Sequence, residues 1–254
     1  MKLRLLPSSF EADGTASPRQ HSTCFVVDST VAIDAGSLAN AADEAIRAGL
    51  RDIVLTHAHL DHIAGLPLFI DDLFSILETP VRVHAMPEVI EILERDIFNW
   101  SVYPRFSELN NERGPVMEYV PLGNGHEHHV AHLTFRPIPV NHKVPSNGFA
   151  FSDGRSVAVI SGDTAEMDGF WEIVNGLERL DALLIECAFP DRLGDLALIS
   201  HHLTPSLLAK ELAENSTPSA RLRSKLGFAP DRSAKVTIER PSGVSSNTLA
   251  FSAA

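Results

Sequence analysis

The stretch Thr56-His57-Ala58-His59-Leu60-Asp61-His62 decides the fold, because it places three imidazoles and one carboxylate within six residues. It follows the apolar run Ile53-Val54-Leu55, which predicts a buried strand. Alternate side chains of an extended segment face the same side, so His57 and His59 should point together. Imidazole nitrogen and carboxylate oxygen suit Zn²⁺ and related divalent ions. The stretch therefore predicts a metal site rather than a solvated loop that happens to be rich in histidine.

The elements around this stretch predict a layered α/β architecture. An amphipathic helix is expected over residues 38–50, and the strand 52–56 then delivers the histidines. Asp61 and His62 lie where the next helix, Ile63 to Leu77, should begin, which aims them at a second centre nearby. Strands that alternate with helices favour a buried sheet covered by helices.

Composition describes an ordinary globular chain. Its 254 residues are 44% hydrophobic with a mean hydropathy of +0.02, enough for one domain or for two similar packed halves. No apolar run approaches the roughly 18 residues of a membrane span, and the first residues resemble a strand more than a signal peptide. Cys24 and Cys187 are expected to be free thiols in a reducing compartment, which predicts a cytoplasmic protein without membrane contact.

The net charge of −12 disfavours a general nucleic-acid binder. It does not exclude an anionic substrate, because bound divalent cations would dominate the local field. From Asn215 onward six Lys and Arg outnumber two acidic residues, a surplus of +4, so the first 214 residues carry −16.

Later segments supply further candidate ligands. A strand over Leu133–Val140 ends at Asn141-His142, and a hairpin that turns at Asp153-Gly154 leads to Ser161-Gly162-Asp163-Thr164. A buried strand that ends in Glu186-Cys187 is followed by Ser200-His201-His202-Leu203-Thr204-Pro205 and a helix, Ser206 to Glu214. Taken alone, each residue has a structural explanation, such as capping or core packing.

The order of these residues resembles a known family. His57 to His62 resembles the His-x-His-x-Asp-His motif of the metallo-β-lactamase superfamily, and its continuation to Leu66 resembles the signature of the class II 3′,5′-cyclic-nucleotide phosphodiesterases. The Glu-Cys strand and His202-Leu-Thr-Pro also resemble that class, although His201 stands where the pattern has Gly. The resemblance covers about residues 20–214 and implies a four-layer αβ/βα sandwich.

The resemblance also implies a site with two divalent metal ions, with zinc expected and manganese or iron left open. Its metal ligands would be His57, His59, Asp61, His62, His142 and Asp163, with Asp163 bridging the ions. Asp61 and His202 would be the catalytic residues, His202 beside the leaving oxygen. Asp34 matches a carboxylate that supports the ligands, although a helix-capping role stays open.

The activity implied is a metal-dependent phosphodiesterase that hydrolyses 3′,5′-cyclic nucleotides, cyclic AMP among them, to nucleoside 5′-phosphates. The partner would be a small cyclic nucleotide, with no membrane and no nucleic acid, and a homodimer stays open. Two alternatives remain: a tRNA 3′-processing endonuclease, and a catalytically impaired superfamily member. Thioester and lactam hydrolases fit the flanking residues less well.

The impaired alternative rests on the C-terminus. The family pattern has a further strand that ends in Thr-His and supplies a ligand to the second ion, but the last histidine here is His202. Residues 1–214 are predicted to form the metallohydrolase domain. Residues 215–254, rich in Ser, Pro and Arg, are predicted to be an atypical tail, with disorder and a changed reading frame both open, which would leave the fold incomplete or irregular there.

His84 should pack rather than bind metal. The histidines between His126 and His132 are expected to lie in a solvated turn, because a metal site needs a rigid scaffold. The aromatic segment Asn99–Phe106 could either stack on a purine or form a hydrophobic plug.

Overall fold

A computed structural model describes residues 1–8 and 22–215, with the backbone of two further short strands, Thr237–Glu239 and Thr248–Ser252. The chain divides into two compact units. The first unit contains residues 2–123, and the second contains residues 124–215. Each unit has its own sheet and its own core. The predicted boundary between a domain and a tail at residue 214 stays a prediction.

The first unit is built on a seven-stranded sheet in the order β14-β1-β2-β3-β4-β5-β8. Its strands are β1 Lys2–Leu5, β2 Phe25–Val27, β3 Val31–Ile33, β4 Asp52–Val54, β5 Val81–Ala85, β8 Met117–Pro121 and β14 Thr237–Glu239, and a small separate hairpin is formed by β6 Asn110–Asn111 and β7 Gly114–Pro115. The strands β1, β2 and β3 pair antiparallel, whereas β3, β4, β5 and β8 run parallel. Strand β4 is buried throughout: its apolar residues Ile53 and Val54 predict this, and Asp52 at its start is buried as well.

The helices of the first unit are shorter than the sequence pattern predicts. They are α1 Leu38–Ala41, α2 Glu44–Gly49, α3 Leu60–Ile63, α4 Gly65–Leu73 and α5 Pro87–Ile92, with a π-helical turn at Leu93–Ile97 and a 3₁₀ turn at Phe106–Glu108. A single helix over residues 38–50 is therefore wrong. Ala42 is extended, and Asp43 caps α2 by accepting the Ile46 N–H at 2.9 Å. The single helix predicted over 63–77 is wrong as well: two helices, α3 and α4, occupy this region, and α4 ends at Leu73.

The core of the first unit lies between the sheet and these helices. Fully buried side chains from β4 and β5, such as Ile53 and Val83, pack in one cluster with Leu66, Phe69 and Ile70 of α4. Helix α4 thus fixes the end of the histidine-bearing segment against the sheet.

The second unit is built on a six-stranded sheet in the order β15-β13-β12-β11-β10-β9. Its strands are β9 His128–Val130, β10 Leu133–Pro139, β11 Asn147–Ser152, β12 Val157–Ile160, β13 Ala182–Glu186 and β15 Thr248–Ser252, and its helices are α6 Asp168–Gly176, α7 Gly194–Ser200 and α8 Pro205–Asn215, with a 3₁₀ turn at Asp191–Leu193. The predicted hairpin at Asp153-Gly154 is confirmed by antiparallel β11 and β12. Phe170, Trp171 and Val174 of α6 pack with Val159 and Leu183 of the sheet.

The structure corrects the turn predicted at residues 126–132 and describes part of the predicted tail. The histidine group at 126–132 is only partly a turn, because His128 to Val130 form the edge strand β9, paired antiparallel with β10. In the predicted tail, β15 pairs antiparallel with β13 through its backbone, from Ala182 opposite Ser252 to Glu186 opposite Thr248. The rest of that tail lies outside the described residues.

One sequence expectation is confirmed: Cys24 and Cys187 are free thiols. Among the described helices, none combines the length and the apolar character that a membrane crossing requires.

Candidate metal centre

The segment that follows β4 brings two imidazoles of the first unit together. The Leu55 N–H donates to the His84 carbonyl at 2.9 Å, so the chain stays beside β5 before it leaves the sheet. His57 is fully buried, and its ring lies 4.7 Å from that of His59, nearly perpendicular to it. One ligand nitrogen of each ring lies within 4.8 Å of the other. The alternation seen in the sequence therefore does point both side chains together.

The start of α3 holds the second pair of donors in the first unit. Nε2 of His62 lies 3.7 Å from a carboxylate oxygen of Asp61. The carbonyl of Asp61 accepts the Thr23 N–H at 2.8 Å, and the carbonyl of His62 accepts the Ala35 N–H at 2.7 Å. These backbone bonds attach the ligand segment to the residues before β2 and to the loop after β3. Gly36 lies in that loop so close to the Asp61 carbonyl that a Cβ would overlap it.

Asp34 at the end of β3 supports His62. One of its carboxylate oxygens lies 2.7 Å from Nδ1 of His62, and the other accepts the Thr56 N–H at 2.8 Å. A carboxylate only accepts, so His62 Nδ1 carries the hydrogen and Nε2 keeps its lone pair. The N-cap position of α1 belongs to Ser37, so the structure supports the ligand-orienting role of Asp34 and not the capping role.

In the second unit the ends of β10 and β12 supply another pair. His142 and Asp163 each offer a ligand atom within 4.8 Å of the other. Nδ1 of His142 donates to the carbonyl of His201 at 3.0 Å, which again leaves the lone pair on Nε2. The imidazole of His142 is therefore already in the tautomer that a metal ion at Nε2 requires.

His202 lies beside this pair and is held by a buried carboxylate. Its Nδ1 lies 3.0 Å from Oε1 of Glu186 and 3.9 Å from Oδ2 of Asp163. Glu186 also accepts the N–H groups of Leu203 at 3.1 Å and Ala188 at 2.7 Å. Burial raises the pKa of Glu186, the nearby Asp163 charge raises it further, and the hydrogen bond from His202 opposes both effects.

The donor chemistry in each unit fits divalent ions. Imidazole nitrogens and carboxylate oxygens lie in close pairs, and hydrogen bonds to Nδ1 fix the tautomers of His62 and His142. Sequence reasoning gave no role to Thr56, Asn141 or Glu186, which hold these imidazoles or their neighbours. For Glu186 the sequence offered one indication, because the Glu186-Cys187 pair belongs to the segment that resembles the phosphodiesterases. Thr56 and Asn141 carried none beyond adjacency to a histidine.

The remaining predicted groups have structural roles. His84 is buried and its Nε2 lies 2.8 Å from Asp52, so it packs as expected. In the aromatic segment, Phe106 lies between Phe98 and Tyr103, at ring distances of 5.9 and 5.6 Å, which supports the plug interpretation for these rings. Trp100 differs, because 57% of it is exposed.

Comparison with known proteins defines the family. The family model described as "Beta-lactamase superfamily domain" matches residues 30–219, about three quarters of the chain. The chain belongs to the β-lactamase superfamily, and its fold is the metallo-β-lactamase fold predicted from the motif.

Several curated proteins are similar to this chain. It is 27% identical over 187 residues to "Probable 3′,5′-cyclic-nucleotide phosphodiesterase" from Yersinia pestis, an alignment that covers 65% of this chain and 51% of the relative. It is 28% identical over 182 residues to "3′,5′-cyclic-nucleotide phosphodiesterase" from Aliivibrio fischeri, covering 65% and 53%. It is 30% identical over 132 residues to "Nuclear ribonuclease Z" from Triticum aestivum, covering 51% and 68%. The chain thus spans about half the length of these two phosphodiesterase relatives.

Solved structures show the same fold. Unliganded yeast PDE1 matches with a TM-score of 0.63 at 15% identity, covering 96% of this chain and 90% of that one. The metallo-β-lactamase fold protein YhfI from Bacillus subtilis matches with a TM-score of 0.61 at 15% identity, covering 98% of both chains. The short form of human tRNase Z matches with a TM-score of 0.57 at 17% identity, covering 83% and 87%. At these identities the likeness concerns the fold alone.

Proposed function

We propose that this chain is a metal-dependent phosphodiesterase that hydrolyses 3′,5′-cyclic nucleotides, cyclic AMP among them, to nucleoside 5′-phosphates. The observation that carries the proposal is the position of His202, an imidazole held by the buried Glu186 and 3.9 Å from Asp163. Cleavage of a phosphodiester needs a proton at the departing oxygen, and this geometry supports such a donor. Similarity to named cyclic-nucleotide phosphodiesterases over about two thirds of the chain supports the substrate.

The proposed ligands divide into two sets that share one carboxylate. The first ion would be held by the imidazoles of His57, His59 and His142, the second by Asp61 and His62, with Asp163 common to both. Membership of the superfamily and the paired donors inside each unit support this assignment. Divalent ions, zinc first and manganese or iron as alternatives, would supply Lewis acidity and a hydroxide nucleophile at neutral pH.

The protein groups would then do three things. Asp61, half exposed beside His62, would orient the attacking water through a hydrogen bond. Nε2 of His202 would give its proton to the leaving 3′-oxygen, while Glu186 stabilises the positive charge that the donor form of the ring carries. The tautomers of His62 and His142, fixed through Nδ1, would keep Nε2 available throughout.

The test is an assay of the purified chain, loaded with Zn²⁺ or Mn²⁺, against cyclic AMP, cyclic GMP and a 3′-extended tRNA. We expect nucleoside 5′-phosphate from a cyclic nucleotide. His202→Ala should lower kcat by roughly 10²- to 10⁴-fold, the usual range for a general acid. The exposed His129, which lies on the edge strand β9, provides the matched control: His129→Ala should not change kcat. Cleavage of the tRNA alone would exclude the proposed substrate.

A second candidate is tRNA 3′-processing. It is favoured by the 30% identity to the nuclear ribonuclease Z of wheat, and by 28% identity over 101 residues to "tRNase Z TRZ2, chloroplastic" of Arabidopsis thaliana. The charge of −16 on the first 214 residues opposes it, because RNA binding gains most of its free energy from basic side chains. A third candidate, the impaired enzyme, predicts one bound ion and no turnover with either metal.

We further propose a cytoplasmic location, supported by the two free thiols, which suit a reducing compartment. Fractionation of cells that express the chain would test the location. A homodimer also remains a proposal, and light scattering during gel filtration would decide between monomer and dimer.

A further inference from the structure

We infer that His201 and Asn141 form a positioning pair, whose hydrogen bond holds residue 201 in a left-handed conformation and thereby aims the His201 carbonyl at His142. This inference deepens the proposed metal site, because His142 is one of its proposed ligands. All the contacts that carry it lie in the described part of the second unit.

The end of α7 requires an unusual backbone conformation at His201, with φ 58° and ψ 60°. The His201 N–H donates to the Leu198 carbonyl at 3.4 Å, and the His202 N–H donates to the Ala197 carbonyl at 2.8 Å. These two bonds make a Schellman motif, in which glycine usually takes the left-handed position. A residue with a Cβ is destabilised in that conformation, whereas glycine adopts it without strain.

The left-handed conformation has a consequence for His142. It directs the His201 carbonyl at Nδ1 of His142, 3.0 Å away. A carbonyl oxygen can only accept, so Nδ1 must carry the hydrogen and Nε2 must keep the lone pair. If residue 201 adopted a right-handed conformation, its carbonyl would no longer face Nδ1 of His142. The ring of His142 could then rotate and change tautomer.

The side chain of His201 offsets the strain through Asn141. Its Nδ1 lies 3.0 Å from Oδ1 of Asn141. Asn141 is fixed in turn: its N–H donates to Thr164 Oγ1 at 3.2 Å, its carbonyl accepts the Ala165 N–H at 2.8 Å, and its Nδ2 donates to the Glu166 carbonyl at 2.9 Å. Because Nδ2 is already a donor to a carbonyl, Oδ1 must face His201 and accept from it.

Asn141 therefore connects the three loops of the second unit that carry His142, Asp163 and His202. It directly precedes His142, it bonds the segment that follows Asp163, and it bonds the residue that precedes His202. A glycine at 201 would adopt the same turn without help. Here the histidine makes the turn depend on Asn141, so the two positions should be energetically coupled.

The test compares His201→Ala, His201→Gly, Asn141→Ala and the double variant Asn141→Ala/His201→Gly. Long-range ¹H–¹⁵N spectra of the metal-free protein at about pH 8, where an ordinary imidazole is neutral, report which nitrogen of His142 carries the hydrogen. Competition with a chelator reports zinc affinity. His201→Ala should weaken zinc binding roughly tenfold, a typical effect of a residue that orients a ligand, and should mix the His142 tautomers. His201→Gly should keep the zinc affinity and the single His142 tautomer of the parent protein.

Asn141→Ala should weaken zinc binding roughly tenfold in the parent and clearly less in the His201→Gly background. Ala131 is the matched control, since it is exposed and has a left-handed φ of 51° in the turn before β10. Ala131→Gly relieves the same kind of strain and should leave both readouts unchanged.

Three results would overturn the inference. Equal losses in His201→Ala and His201→Gly would mean that the side chain acts directly. An equal cost of Asn141→Ala in both backgrounds would mean that the pair is uncoupled. A parent protein in which His142 Nδ1 lacks the hydrogen would remove the proposed contact. A chain that binds no zinc would refute the proposed metal site, and the spectra of the metal-free protein would still decide the role of this pair.

Discussion

Nδ1 of His62 lies 2.7 Å from a carboxylate oxygen of Asp34, and this buried contact determines which nitrogen of His62 remains for a metal ion. The same carboxylate accepts the N–H of Thr56 and lies 2.9 to 3.0 Å from its hydroxyl oxygen. The Thr56 hydroxyl also lies 3.0 Å from Nδ1 of His57. One carboxylate at the end of β3 therefore orders two proposed ligands in the first unit.

We expect Asp34→Asn to weaken binding of the second ion roughly 10- to 100-fold. Asparagine tolerates the left-handed φ of 59° at this position, so the backbone should not change. With the oxygen of the new amide accepting the Thr56 N–H, however, its NH2 group faces Nδ1 of His62 and can only donate, which would move the hydrogen of His62 to Nε2 and block the metal ligand. Chelator competition measures the change. Asp28→Asn, at an exposed position with φ 49°, should have no effect, and an unchanged affinity in Asp34→Asn would contradict the role of Asp34.

Gly36→Ala should disturb the ligand segment through its backbone. A Cβ at Gly36 would overlap the Asp61 carbonyl and approach the Thr23 nitrogen to 2.9 Å, and neither atom belongs to a flexible side chain. Overpacking of this kind costs about 1–3 kcal/mol. We therefore expect a lower melting temperature together with weaker metal binding. Gly169→Ala in α6, where a Cβ meets nothing within 4 Å, should leave metal affinity unchanged and raise stability slightly. Wild-type metal affinity in Gly36→Ala would show that the close approach is not needed.

The sequence predicted those parts of the site that are local. The metal-ligand spacing of His57, His59 and His62 could be recognised because the three residues lie within six positions directly after an apolar strand. The supporting contacts were not readable, because Asp34 meets His62 across 28 residues and Asn141 meets His201 across 60. Such pairs depend on which strand ends adjoin in the sheet, and one sequence does not reveal that.

The errors in secondary structure also have physical causes. Apolar periodicity extended one helix over residues 38–50, but the Asp43 side chain caps a new helix there, and capping competes with helix continuation. The flanking Gly and Asn residues predict a turn for the histidines before β10, yet backbone pairing with β10 makes His128 to Val130 a strand.

Stability should depend on pH through Asp52. Burial raises the pKa of Asp52, but hydrogen bonds from His84 and Arg82 outweigh it and lower the pKa from 3.8 to about 2. A lowered pKa means that this carboxylate stabilises the fold above about pH 4 and loses that contribution as the pH falls to about 2. Asp52→Asn should therefore lower the free energy of unfolding by about 2 kcal/mol at pH 7.

The difference between wild type and Asp52→Asn should shrink as denaturation is repeated at lower pH. The exposed Asp168 supplies the comparison, because Asp168→Asn should have only a small effect on the free energy of unfolding. A difference for Asp52→Asn that stays constant down to about pH 2 would be inconsistent with the lowered pKa.

Glu186→Gln should separate turnover from substrate binding. The two carboxylate oxygens of Glu186 now accept bonds from His202, Leu203 and Ala188, but glutamine has only one acceptor oxygen. His202 should therefore lose its fixed orientation. It should also lose the negative charge that stabilises its protonated form. We expect kcat to fall roughly 10- to 100-fold with little change in KM. The buried Glu211 bonds Trp171 in the same unit, so Glu211→Gln should lower stability without this effect on kcat. Equal kinetic losses in both variants would indicate a general effect of a buried glutamine.

Zinc titration of the metal-free protein should show two steps of different affinity. In the proposed assignment the first ion has three imidazoles and a shared carboxylate, whereas the second has one imidazole and two carboxylates. Zinc sites usually have three or four protein ligands that include several nitrogen or sulfur donors, so the second step should be at least roughly tenfold weaker. Turnover should follow the second step, because the proposed reaction takes its Lewis acidity and its hydroxide from the two ions together. Asp163→Asn should weaken both steps, because it replaces the shared carboxylate with a neutral amide. If the wild-type protein binds two equivalents of zinc in one step with equal affinity, the asymmetric assignment is refuted.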